Sequence, residues 1–230
     1  MAMRDKRQLS GFRIYLTPVM FLIVNGLIVF LAAGSFGFWP AWVYLIGVFM
    51  IMIFMGVYLQ KKAPGLMARR MQYEEKEPSQ NTVFLRIFGP LLYIISYLTP
   101  GLDYRYHWST VPSSLIIIAN IMVFLGLTLI FFVFKTNSYA ESIIQVENDQ
   151  MVITTGPYTV VRHPMYVGLL LMFLFDALAL GSYWALVPFL LCIPMLMSRA
   201  INEEKVLIRD LPGYREYCLK TRYRLLPFIW

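Results

Sequence analysis

Apolar runs of bilayer dimensions alternate along this chain with shorter polar intervals. The first extends from about Ile14 to Ala33, interrupted chiefly by Asn25, and has the length of a membrane-spanning helix. A second covers Ala41 to Leu59, a third and shorter one Phe84 to Leu98, and a fourth Ser113 to Phe134, interrupted by Asn120. Met165 to Leu180 and Tyr183 to Met197 form the last two, joined in a tight hairpin at Gly181-Ser182. This pattern predicts an all-α integral membrane protein, a polytopic bundle of about six helices. A basic start before an apolar run also describes a signal peptide, with Ala33 to Ser35 as its cleavage site. This run is longer than a signal core and similar runs follow it, so it is read as the first helix.

The polar intervals are predicted as follows. Gly34 to Pro40 is a turn, with Trp39 and Trp42 where an interfacial aromatic belt lies. Gln60 to Thr82 is a charged surface loop with an amphipathic helix. Thr99 to Pro112 is a polar connection holding Asp103, Arg105 and His107, and His107 is read as an exposed residue without a direct role. Lys135 to Arg162 leaves the membrane, and Arg199 to Trp230 is a charged tail.

Composition narrows the class. With 59% hydrophobic and 14% charged residues, a water-soluble surface is excluded. The net charge of +7 does not imply a nucleic-acid partner, because the basic residues fall between apolar runs and no nucleic-acid motif accompanies them. Of the 20 Lys and Arg, only Arg105 falls on the side of a six-crossing bundle opposite the termini. That asymmetry places both termini and the interval before the fifth helix in the cytoplasm. Cys192 and Cys218 form no metal-ligand spacing and no disulfide framework, and no metal is expected. No inverted repeat of the transporter kind is present.

Candidate chemistry concentrates between Thr154 and Gly168. Proline disfavours the helical region for the residue before it and suits the first helical position, so His163 is extended and the fifth helix starts at Pro164. The first turn of a helix carries unpaired N–H groups at the positive end of the dipole, and Arg162 and His163 stand beside them, which describes an anion site. Tyr158 and Tyr166 flank it and offer aromatic faces to a cation or a planar base. Gly168 permits close approach of another segment. A hairpin that leaves at Pro164 and returns at Met197 brings Arg199 back to the level of His163. Arg199 and Glu203, four apart on one helical face, then supply a guanidinium for an acidic acceptor and a carboxylate for hydroxyl or amino groups. Glu204 beside them is a further substrate-binding candidate. Asp176, inside the fifth run, is read as structural.

Thr155-Gly-Pro-Tyr158, Val161-Arg-His-Pro-Met-Tyr-Val-Gly168, Glu203-Glu204, Gly213-Tyr-Arg-Glu-Tyr217 and Arg222-Tyr-Arg-Leu-Leu-Pro227 together resemble the isoprenylcysteine carboxyl methyltransferase family, to which phospholipid N-methyltransferases are related. The resemblance covers roughly Asn137 to Pro227. It implies an S-adenosyl-L-methionine-dependent methyltransferase that releases S-adenosyl-L-homocysteine, with the cofactor in a cytoplasm-facing pocket. It further implies cofactor contacts at Gln145, at the strand-like stretch Gln150, Met151, Val152 and Ile153, and at Tyr158, His163, Pro164, Met165, Tyr166 and Glu203, with Arg199 facing the acceptor. On this reading the chain is one membrane-embedded domain, residues 1–230, with a four-helix part up to residue 134 and a cofactor-binding catalytic part after it.

The expected acceptor is a lipophilic molecule reaching the pocket from the lipid bilayer, and the preferred reaction is O-methylation of an isoprenylcysteine-like carboxylate. A carboxylate is already ionised at neutral pH and needs no general base, which suits a motif poor in bases. N-methylation of a lipid amine and S-methylation of a small thiol are alternatives in the same class. An NADPH-dependent membrane reductase of the sterol type and a non-enzymatic membrane protein are alternatives outside it.

Overall fold

The computed structural model describes residues 2–63, 66, 80–140, 146 and 150–230. Among these the architecture is all-helical: α1 is Ala2–Ala33, α2 Trp39–Lys62, α3 Gln80–Tyr106, α4 Ser113–Thr136, α5 Pro164–Ala179, α6 Leu186–Asp210 and α7 Tyr214–Lys220. A single 3-10 turn, Gly156–Thr159, precedes α5. Four of the described helices (α1, α2, α4 and α6) are long and apolar enough to cross a membrane, and α5 is a shorter apolar helix. The protein is a multi-pass membrane bundle.

Three sequence expectations are corrected. The interval after Leu98 does not become a loop at Thr99, because α3 continues to Tyr106 with Pro90 and Pro100 inside it. Its polar end has tertiary partners that its composition does not reveal. Asp103, 1% exposed, accepts from the Ser109 amide at 2.7 Å, from the Ser109 hydroxyl at 2.6 Å and from the Ser182 hydroxyl at 2.5 Å. One carboxylate thus ties the end of α3 to the α5–α6 hairpin. Second, the helix does not stop with the apolar run at Met197: α6 continues through Arg199 and Glu203, which share the helical face expected of them, and through Glu204 as far as Asp210, so part of the charged tail is helix. Third, Gln150 to Ile153 forms no strand, since it makes no backbone hydrogen bonds to another segment among the described residues.

Helices α4 and α5 run antiparallel and pack closely. The Asn120 amide donates to the Ala179 carbonyl at 3.1 Å, and further along the pair Gly126 faces Gly168. A Cβ added to either glycine lies 2.7 Å from the other's carbonyl oxygen, so only two glycines permit this approach. The segment that Gly168 was expected to admit is therefore α4. Replacing Gly168 with valine is expected to force the two helices apart at a cost of about 1–3 kcal/mol, the usual range for overpacking. Thermal unfolding of the detergent-solubilised protein checks this, and an unchanged midpoint would refute the packing account.

The core between α1, α2, α3, α4 and the hairpin is built on Val29, Phe38, Tyr44, Leu45, Val48 and Val123, all 2% exposed or less. Trp39 and Trp42 are exposed, as an aromatic belt requires, and the Trp42 indole donates to the Phe36 carbonyl at 2.9 Å.

Candidate active site

Helix lengths decide where the polar residues meet. α5 has 16 residues and α6 has 25, and the hairpin sets Ala179 beside Leu186. Counting back along both helices, the start of α5 lies level with the residues just after Arg199. The remaining turns of α6 project beyond Pro164 and form a ledge. His163 is the N-cap at φ −123 and ψ 63, outside the helical region but short of the extended conformation expected, and Pro164 occupies the first turn, as the Arg-His-Pro step predicts.

Glu204 sits at the base of this ledge, 4% exposed. Arg162 donates to it from Nε at 3.3 Å and from Nη2 at 3.2 Å, His163 Nε2 lies at 3.2 Å, and Arg224 donates from Nε at 3.1 Å to both oxygens. The same Arg162 spends Nη1 on the carbonyls of Thr221 and Arg222 at 2.9 and 2.7 Å. The backbone follows suit, with the Arg162 amide donating to Tyr223 O and the His163 amide to Arg224 O. The C-terminal segment is thereby stitched to the start of α5. These bonds use amides expected to face an anion, and Tyr166 and Val167 bond back to the His163 carbonyl. Around the helix start only the Met165 amide is left without a partner among the described residues.

Above Glu204 opens a cleft of about 860 Å³, solvent at its mouth included. Gln150, Met151, Val152 and Ile153 line one wall. Tyr158 from the 3-10 turn lines it too, with Arg162 and His163 and with Pro164, Met165 and Tyr166 from the first turn of α5. Arg199 and Glu203 come from α6. Gln145 lies outside the described residues. Glu204 lines neither this cleft nor the cavity described below, so its carboxylate supports the site rather than facing into it. Tyr166 joins the two α6 residues, because its hydroxyl donates to Glu203 at 2.6 Å and the Arg199 guanidinium lies against it.

The local sequence explains the wall. Gly156 adopts φ +60, and a Cβ there would come within 2.9 Å of the Thr136 hydroxyl, so glycine allows the turn to close on the end of α4. Tyr158 then receives the Asn137 amide at 2.7 Å, while its carbonyl accepts from the Tyr217 hydroxyl at 2.7 Å. Burial is the main cause that pushes the Tyr158 and Tyr214 phenols well up, and it takes Tyr217 to about 12. All three are neutral at physiological pH, and Tyr158 and Tyr217 serve as hydrogen-bonding groups rather than bases.

Sequence reasoning missed Tyr214. Its side chain lines the cleft at 4% exposure, and its hydroxyl is buried with no hydrogen-bond partner among the described residues. A buried phenol left unmatched costs free energy unless something else fills the gap, which makes Tyr214 a candidate ligand contact. The Gly213-Tyr-Arg-Glu-Tyr217 motif carried that signal without showing which tyrosine turns inward.

A second space lies within the bundle. It is larger, about 2150 Å³ with its openings, and mostly apolar, walled by residues such as Met52, Met55, Leu127, Ile130, Met172 and Leu196. Arg199 lines it as well as the cleft. No short-range pattern announces this cavity, because six helices each contribute a few residues to it.

Fold and site define a multi-pass helical membrane protein in which a polar cleft at one end of the bundle meets an apolar cavity at an arginine. Residues 114–211, less than half of the chain, match the family described as phospholipid methyltransferase. That span runs from α4 to the end of α6, and so includes Tyr158, His163, Arg199 and Glu203 but not Tyr214 or the C-terminal segment. No curated protein matches the chain. The family match supports a membrane methyltransferase acting on a lipophilic substrate.

Proposed function

We propose that the protein is an S-adenosyl-L-methionine-dependent methyltransferase that binds its cofactor in the polar cleft and a lipophilic acceptor in the apolar cavity. The observation that carries this reading is Arg199, the residue shared by the two spaces. The cleft suits the cofactor chemically. Glu203 offers a carboxylate to ribose hydroxyls, Tyr158 and Tyr166 offer aromatic faces to a sulfonium, and the unmatched Tyr214 hydroxyl and the Met165 amide offer donors to a carboxylate. When bound, the cofactor supplies a methyl group already activated for displacement.

The chain's own contribution is alignment. Arg199 holds the acceptor's anionic end at the junction, Tyr166 and Glu203 lock Arg199's helix face to α5, and the apolar walls exclude water from the junction. An isoprenylcysteine-like carboxylate is the preferred acceptor, because the cation at the junction suits an anion and no base is required. A phospholipid amine is the second reading, favoured by the family match, and Arg199 would then hold the phosphate. Glu204 is assigned a positioning role, and the cleft is assigned to the cytoplasmic side, as the distribution of Lys and Arg supports.

Titration of the purified protein with S-adenosyl-L-methionine and with NADPH tests the class. Binding of NADPH without binding of S-adenosyl-L-methionine would overturn the proposal in favour of a reductase. Labelled methyl transfer to prenylcysteines, to phosphatidylethanolamine vesicles and to small thiols then separates the acceptors. Glu203→Gln is expected to weaken cofactor affinity about tenfold or more, the scale of a lost charge-assisted hydrogen bond.

A further inference from the structure

The cavity is not uniformly apolar. At the end away from Arg199 its lining includes Asp176, Tyr93, Ser96, Tyr97 and Cys192. Asp176 is 2% exposed, and Tyr44 donates to its Oδ1 at 2.9 Å. Tyr44 has one proton, so in its 2.8 Å contact with Tyr97 it is Tyr97 that donates. The other donors nearby are also spent: Tyr93 on Asn25 Oδ1 at 2.7 Å, Ser96 on the Leu92 carbonyl at 2.8 Å and Cys192 on the Pro188 carbonyl at 3.5 Å.

What this floor has left over is acceptor capacity. The Asp176 carboxyl has two oxygens, and among the described residues one side-chain bond uses Oδ1 alone, so Oδ2 is left without a partner there. Tyr97 keeps a lone pair. A structural tie between α2, α3 and α5 needs no carboxyl group facing a cavity, and acids at membrane depth are costly to keep. The surplus therefore calls for a hydrogen-bond donor. An ammonium is disfavoured because a single carboxyl among apolar walls does not repay its desolvation, which leaves a hydroxyl.

The hairpin supplies the distance. Asp176 lies level with Phe189, whose ring meets that of Tyr97 at 5.6 Å. Arg199 is ten residues further along the same helix, about 15 Å away at 1.5 Å per residue. We propose that the acceptor carries a hydroxyl about 15 Å from its methylated end, and that Asp176, positioned by Tyr44 and Tyr97, binds it. This rests on the reading of Arg199 as the residue that meets the acceptor's reactive end.

The test is calorimetric binding of dodecanoate, 12-hydroxydodecanoate and 12-methoxydodecanoate to the full-length protein, to Asp176→Asn and to Arg199→Ala. The hydroxy acid is expected to bind the wild type about tenfold more tightly than the other two. Asp176→Asn keeps an oxygen for Tyr44 but turns an NH₂ toward the cavity, so it is expected to erase that preference and leave dodecanoate affinity unchanged. Arg199→Ala is expected to weaken all three alike. Equal binding of the three by the wild type, or a preference that survives Asp176→Asn, overturns the inference while the acceptor reading stands. If Arg199→Ala weakens none of them, or if none binds, the acceptor reading fails and the inference with it. Tyr97→Phe, which removes the second acceptor, is expected to reduce the hydroxyl preference and decides the matter if Asp176→Asn does not fold.

Discussion

Glu204→Ala is expected to release the C-terminal segment and abolish cofactor binding. The substitution leaves Arg162 and His163, 8% and 4% exposed, facing Arg224 with no carboxylate between them. Removing one partner of a buried ion pair typically costs about 3–5 kcal/mol, because the remaining charge is left uncompensated. Here two guanidinium groups lose the same partner. The bonds from Arg162 to the Thr221 and Arg222 carbonyls depend on that guanidinium being held, and so does the backbone pairing with Tyr223 and Arg224. Trypsin is expected to cleave rapidly at Arg222 and Arg224 in the variant and slowly in the wild type. Glu204→Gln should be intermediate, since its amide can accept from one arginine but turns an NH₂ toward another. A C-terminal segment that stays protected in Glu204→Ala would show that the tail is held by packing of Leu225 and its neighbours instead.

Arg199→Ala is expected to lower kcat/KM by about 10²-fold or more while cofactor affinity changes by less than about twofold. Arg199 borders both spaces, but Glu203, Tyr158 and Tyr214 remain to hold the cofactor. Arg199→Lys should recover only part of the loss, because an ammonium cannot reproduce a bidentate hold on a carboxylate or phosphate. Parallel measurement of S-adenosyl-L-methionine affinity and methyl transfer in Arg199→Ala and Glu203→Ala checks the division of roles. Equal loss of cofactor affinity in the two would show that the arginine belongs to the cofactor half.

The fate of Arg162 and of Asp103 shows where reading by neighbourhood in sequence stops. Beside a helix start, an arginine looks like an anion ligand, yet the anion it meets is Glu204, 42 positions away, together with carbonyls from a segment about 60 positions away. Asp103, in a run polar enough to suggest a loop, is buried by Ser109 and by Ser182, the latter 79 positions on. In both cases the side chain is satisfied by partners that no local pattern names.

The sequence by itself determined the helical membrane class, the hairpin, the start of α5 at Pro164 and the common face of Arg199 and Glu203. These follow from rules acting over a few residues: bilayer length, the steric reach of proline and the helical repeat. Tertiary structure alone decided that Glu204 is a hub beneath the cleft, that Tyr214 turns its unmatched hydroxyl inward and that an apolar cavity with an acidic floor opens beside Arg199. Those features are spaces and charge balances between helices, so they exist only once residues far apart in the chain are packed side by side.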